Sequence, residues 1–157
     1  MFPIQKIICP IDFSEHSYDA LKIAVELAGH FFSEIILVHV ITPIPSYTAA
    51  GLSDASATPQ FDLAEYLTEV EVAAKQSLDK ILNDSVPEVI QSRSVILHGS
   101  PAESIVDYAV QEKANMIVIS THGRTGFRHL IFGSVAEKVV RLAACPVLSI
   151  RPKQQKG

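Results

Sequence analysis

The chain has 157 residues, of which 48% are apolar and 19% charged, with a formal net charge of −4. That length is one ordinary domain with a core of its own, and that composition belongs to globular rather than disordered chains. The acidic balance excludes a sequence-independent hold on nucleic acid, which needs a positive face to displace counterions, so any anion site must be local.

Five short runs rich in β-branched residues (6–9, 35–40, 94–97, 116–120 and 147–150) alternate with four helical patterns. This rhythm predicts a single-domain, open α/β sheet of parallel strands with helices on both faces. Most of the runs are continuously apolar, as strands buried on both faces are. The N-terminal stretch to Cys9 lacks the pattern of a secretory signal, and no apolar run approaches the roughly 20 residues of a membrane span. A soluble, cytoplasmic protein with no membrane association is expected. Cys9 and Cys145 stand far apart without metal-ligand spacing and read as packing residues in a reducing compartment.

Ser14 is placed to cap the first helix, which is predicted to run to about His30 with Ala20, Ala24, Leu27 and Phe31 at helical spacing. Residues 43–59 hold three prolines, no periodicity and many small residues, and predict a long loop. It leaves from the C-terminal end of the second strand, where ligands of such sheets lie, so a lid and a plain mobile connection are both open readings. A second, amphipathic helix over 63–82 presents Leu67, Val70, Ala74, Leu78 and Ile81 as one stripe. Ser100-Pro101-Ala102-Glu103 opens the third helix with a capping serine, a proline at the first position and a glutamate three residues after the cap. Ser134 and Glu137 form a second such box, directly after Gly133. The tail 153–157 is polar and expected to fray.

The segment 120–134 carries the chemistry. Gly123 and Gly126 permit close backbone approach, and Gly133-Ser134 sets free amides and a hydroxyl at a helix N-terminus, where phosphate oxygens are favoured. Arg124, Arg128 and His129 add a basic cluster. A tight structural connection is the competing reading of the same glycines. Neither GxxxxGK[ST] nor GxGxxG occurs, which sets aside the P-loop and dinucleotide classes. At the other end of the chain, Asp12 follows the first strand, where it can accept ribose hydroxyls or simply form a turn with Ser14.

The opening Pro10-x-Asp12-x-Ser14, the His39-Val40 strand end, Gly99-x-Pro101 and the spacing of Gly123, nine residues, Gly133 and Ser134 resemble the universal stress protein family over nearly the whole chain. In that family's ATP-binding pattern a further glycine stands where this sequence has Ser120. The resemblance implies a Rossmann-like sheet of order 3-2-1-4-5, in which Asp12 and 120–123 face one crevice. It implies that Asp12 meets the ribose and that Pro10 and Val40 border the adenine. Gly123, Arg124, Gly133, Ser134 and Val135 would line the phosphates, with Gly99, Ser120, Thr121, His122, Thr125, Gly126 and Ala136 completing the nucleotide site. ATP, with Mg²⁺ held by its phosphates rather than by protein side chains, is the cofactor so implied, and a homodimer through 147–150 is the implied assembly. The function expected is a nucleotide-gated stress-response or regulatory dimer acting on an unidentified protein partner. Two other readings stand beside it: a dimeric interaction module without nucleotide, and a slow ATPase. No GxSxG elbow, acid pair or lysine beside the loop supplies catalytic machinery. A metal site from His39, His98, His122 and His129 is a further alternative, though no pair has HxxxH spacing.

Overall fold

Strand and helix alternate along the chain as its hydrophobic rhythm requires. A computed structural model describes residues 3–43, 63–121 and 133–151. In chain order the elements are β1 (Lys6–Pro10), α1 (Glu15–Phe31), β2 (Glu34–Ile41), α2 (Leu63–Ser85), β3 (Ser92–His98), α3 (Pro101–Gln111), β4 (Met116–Ser120), α4 (Ser134–Leu142) and β5 (Val147–Ile150). All four strand pairings are parallel and the order is β3-β2-β1-β4-β5.

Because successive side chains of a strand point to opposite faces, each apolar run feeds two cores. Ile7, Cys9, Ile35, Leu37 and Val118 face one side, where Ala20, Leu21, Ala24 and Ala28 of α1 and Leu78 of α2 cover them. Ile8, Ile36, Val38, Ile117 and Ile119 face the other, under Ala102, Ile105, Val106 and Ala109 of α3 and Ala136 and Val139 of α4. Small residues on α1 and α3 let those helices sit close to the sheet. Burial alone pushes the Cys9 thiol up to about 12, and Cys145 is likewise unbridged.

Several boundaries differ from expectation. In α1 the buried stripe is Ser17, Ala20, Leu21, Ala24 and Ala28, while Phe31 is 47% exposed. The helix rotates its alanines toward the sheet and leaves the bulky residue at the rim. Leu67 of α2 is also exposed, because the N-terminal turns of that helix extend past the packed strands; burial is complete only at Leu78. β3 begins at Ser92, two residues before the apolar run, since its pairing with β2 starts at Ile35↔Ser92.

The N-terminal edge of the sheet is tied by charge. Arg93 Nε donates to Glu34 Oε1 at 2.9 Å and its Nη1 to the Tyr108 hydroxyl at 2.8 Å, while Nη2 lies 2.7 Å from Glu112 Oε2. Lys6 Nζ donates to the same Glu112 oxygen at 2.9 Å. Asn115 Oδ1 accepts from the backbone N–H groups of Gln5 and Lys6, both at 3.0 Å, and so fixes the turn before β4 against β1.

Candidate functional site

β1 is the strand from which the chain order reverses, with β2 on one side and β4 on the other, and the crevice of such a sheet opens past the C-terminal ends of those strands. A cleft of about 290 Å³ lies there. Its walls combine apolar groups from Pro10, Val38, Val40, Ile105 and Ile119 with polar groups from Asp12, Ser120, Thr121 and Ser134.

The turn after β1 is built by its own side chains. Asp12 Oδ1 accepts from the Ser14 backbone N–H at 3.0 Å and from the Ser14 hydroxyl at 2.5 Å. Ser14 then caps α1: its Oγ accepts from the Ser17 N–H at 3.3 Å. Between them Phe13 adopts φ 64, the left-handed region that L side chains seldom occupy. The turn role weighed for Asp12 from sequence is therefore real; its place on the cleft wall leaves the ribose role standing beside it.

On the opposite wall the start of α4 is clamped to the end of β4. Thr121 is 1% exposed, its N–H donates to the Ile150 carbonyl at 2.9 Å, and its own carbonyl accepts from the Gly133 N–H at 2.5 Å. Gly133, not Ser134, is the N-cap of α4: it holds extended backbone (φ −68, ψ 151), its carbonyl receives the Glu137 N–H at 3.0 Å, and Ser134 is already helical. The expected Ser134–Glu137 capping box therefore does not form. Ser134 lines the cleft at the first turn, where amides lacking intrahelical partners favour anions. The box at α3 is also altered. Ser100 is the N-cap and Pro101 the first helical residue, but the Ser100 hydroxyl donates to the Glu103 carboxylate instead of accepting a backbone N–H, and this bond holds the Glu103 carboxyl below its ordinary range.

Of the residues singled out in the sequence, Pro10, Asp12, Val40, Ser120, Thr121, Gly133, Ser134, Val135 and Ala136 line this one cleft. Gly99 is absent from its lining. It forms the β3–α3 turn at φ 129, where an added Cβ would stand 2.9 Å from Ser104 Oγ, and its N–H donates to the Ile41 carbonyl at 3.1 Å. His122, Gly123, Arg124, Thr125 and Gly126, with Arg128 and His129, lie outside the described residues, as does nearly all of the 43–59 loop. Sequence reasoning missed Ile11, Ser17, Val38, His39, Thr42, Pro101, Ile105 and Ile119 as lining. The strand-end members had a usable signal, since the C-terminal ends of β1, β2 and β4 converge on the crevice. Ile105 had only its spacing of one helical turn from Pro101.

Among the histidines, His39 Nδ1 lies 2.7 Å from the Ile11 carbonyl, and His98 Nε2 lies 3.2 Å from a Glu71 carboxylate oxygen. Among the described residues no three His, Cys, Asp or Glu side chains are grouped to hold a metal ion, and no helix is long and apolar enough to cross a membrane.

Residues 3–151 match the universal stress protein family. The chain is 33% identical over 154 residues to universal stress protein MJ0531 of Methanocaldococcus jannaschii, covering 96% of this chain and 85% of that one. The solved structure of MJ0577, from the same organism, superposes with a TM-score of 0.80 and 27% identity over 98% of this chain and 99% of that one. The universal stress protein from Archaeoglobus fulgidus in complex with dAMP shares the fold at a TM-score of 0.59 and 22% identity, over 96% of this chain and 99% of the other. The chain belongs to the universal stress protein family.

Proposed function

We propose that this protein binds an adenine nucleotide, with ATP as the ligand, in the cleft between β1 and β4, and that the bound nucleotide regulates its interaction with a protein partner in the cytoplasm during stress. The observation that carries the reading is the meeting in one cleft of Asp12, the apolar surfaces of Pro10 and Val40, and the N-terminus of α4 at Gly133-Ser134. These suit in turn a ribose, a flat base and phosphate oxygens. The volume is near the lower end for small-ligand sites, about 300–1,000 Å³. The dAMP carried by the Archaeoglobus fulgidus protein of the same fold is in keeping with it.

In this reading Gly123, Arg124 and Gly126 complete the phosphate cradle, together with His122 and Thr125, and Mg²⁺ is held by the phosphates. Chemistry on the nucleotide is, in this reading, at most slow hydrolysis. The functional unit is a homodimer joined along β5, whose outer edge is a row of hydrogen-bonding groups suited to pairing.

Calorimetric titration of nucleotide-stripped protein with Mg-ATP, with Mg-GTP as control, tests the site. Micromolar binding of ATP and much weaker binding of GTP are expected. Heat with neither would leave the interaction surface as the functional part and remove the nucleotide from the account.

A further inference from the structure

The chain leaving β1 makes an unusual path into the cleft, and what holds that path comes from the neighbouring strand. The Ile11 N–H continues the sheet by donating to the Val38 carbonyl at 2.8 Å. The Ile11 carbonyl is met by a side chain, His39 Nδ1 at 2.7 Å. A carbonyl only accepts, so Nδ1 carries the proton in this contact. Ile11 is 2% exposed, and the loss of that donor would leave a buried carbonyl short of a partner. The same imidazole supports the next strained residue: the Phe13 ring lies 4.4 Å from it, centroid to centroid, at 42°. Phe13 is the residue at φ 64, and Asp12 sits between the two points that His39 holds.

We propose that His39 is the positioning residue of the nucleotide site, fixing the Asp12 carboxylate for the ribose hydroxyls by anchoring Ile11 on one side and Phe13 on the other. This rests on the adenine-nucleotide reading above and adds to it how ribose recognition is set. Asp12 and Ser14 alone form a turn that isolated peptides also make. The His39 contacts tie that turn to β2, so that its carboxylate faces a defined point of the cleft.

The experiment compares ATP with 2′,3′-dideoxy-ATP on wild type, His39→Leu, His39→Asn and Asp12→Ala, with the Leu–Ala double variant closing the cycle. Wild type is expected to prefer ATP at least tenfold. His39→Leu should lose most of that preference while still binding the dideoxy form within about threefold of wild type. Asn places an amide N–H near the former Nδ1 and should restore part of the preference. On an Asp12→Ala background, His39→Leu should change ATP affinity less than about twofold. If wild type binds ATP but His39→Leu weakens both ligands equally, or the two substitutions add independently, the positioning role is overturned and the site survives. If wild type binds neither ligand, the nucleotide reading falls and this role with it. Ring ¹⁵N shifts of nucleotide-free protein provide a check independent of ligand: a proton on His39 Nδ1 is expected, and a ring protonated at Nε2 alone overturns the contact that carries the inference.

Discussion

At the scale of single residues, two positions separate conformation from function. Gly133 has φ −68, an angle open to any L residue, so glycine is not required there by backbone strain. Aspartate is in fact a favoured N-cap. Gly133→Asp should leave the melting temperature within about 2 °C of wild type or raise it. It should also weaken ATP binding at least about thirtyfold, or roughly 2 kcal/mol, by placing a carboxylate where phosphate oxygens would sit. Calorimetry and a thermal melt on the same sample check both halves. Phe32 is the opposite case. It ends α1 in the left-handed region (φ 55, ψ 42) and is 93% exposed, so it bears strain without burying its ring. Phe32→Gly should stabilise the fold by about 0.5–1 kcal/mol, read as a higher urea midpoint at unchanged slope.

At the scale of elements, the charged cluster at the N-terminal edge joins β1, β2, β3 and α3. Lys6 donating to the Glu112 carboxylate, with Arg93 beside it, holds that carboxyl below its ordinary value of 4.5. A carboxyl depressed in the folded state contributes stability above its unfolded value, and the contribution is lost as pH falls through the folded value. Lys6→Met should therefore cost about 0.5–1 kcal/mol at neutral pH, a modest figure because both side chains keep contact with water. The gap between wild type and variant should narrow as pH falls below the ordinary carboxyl value and through the lower value of the folded state. Urea unfolding at pH 7 and pH 3 measures it; a gap independent of pH would assign the loss to packing of the lysine stem.

The strands were the most legible elements, because a run such as Ile35–Val38 is short, rich in β-branched residues and apolar at every position, as strands covered on both faces are. Helix ends were less so. Ser134 with Glu137 has the composition of a capping box, yet which residue caps depends on where the backbone first turns helical, and Gly133 is still extended at φ −68, ψ 151. The α1 stripe was misjudged at Phe31 because periodicity does not say whether a helix turns alanines or a phenylalanine toward the sheet. Pro10, Asp12, Val40, Ser134 and their neighbours on the cleft were found by resemblance joined to topology. Neither Asp12 nor Ser134 alone could announce that they line one cleft, since 121 residues of chain separate them and only the β1–β4 pairing brings them together.

At the scale of the whole molecule, the proposed dimer turns on the outer edge of β5. Ile117 N–H donates to the Pro146 carbonyl at 3.0 Å and Thr121 N–H to the Ile150 carbonyl at 2.9 Å. Backbone groups alternate along a strand, so 146, 148 and 150 turn theirs to β4 while 147 and 149 turn theirs outward. Ser149→Pro then removes an outward N–H without breaking a ladder bond. It should leave helicity and stability nearly unchanged and weaken the proposed dimer at least tenfold, as measured by sedimentation. An unaltered association constant would move the contact off this edge.

The Thr121–Gly133 clamp also acts on the chain between its two ends. It closes the base of the segment 122–132 within the frame itself, with Thr121 also bonded to β5, so the ends of that segment are fixed whatever lies between them. Closing a longer loop costs only about 0.6 kcal/mol per doubling of length. On this frame a segment of different length between those ends is expected to leave sheet register and both cores as they are.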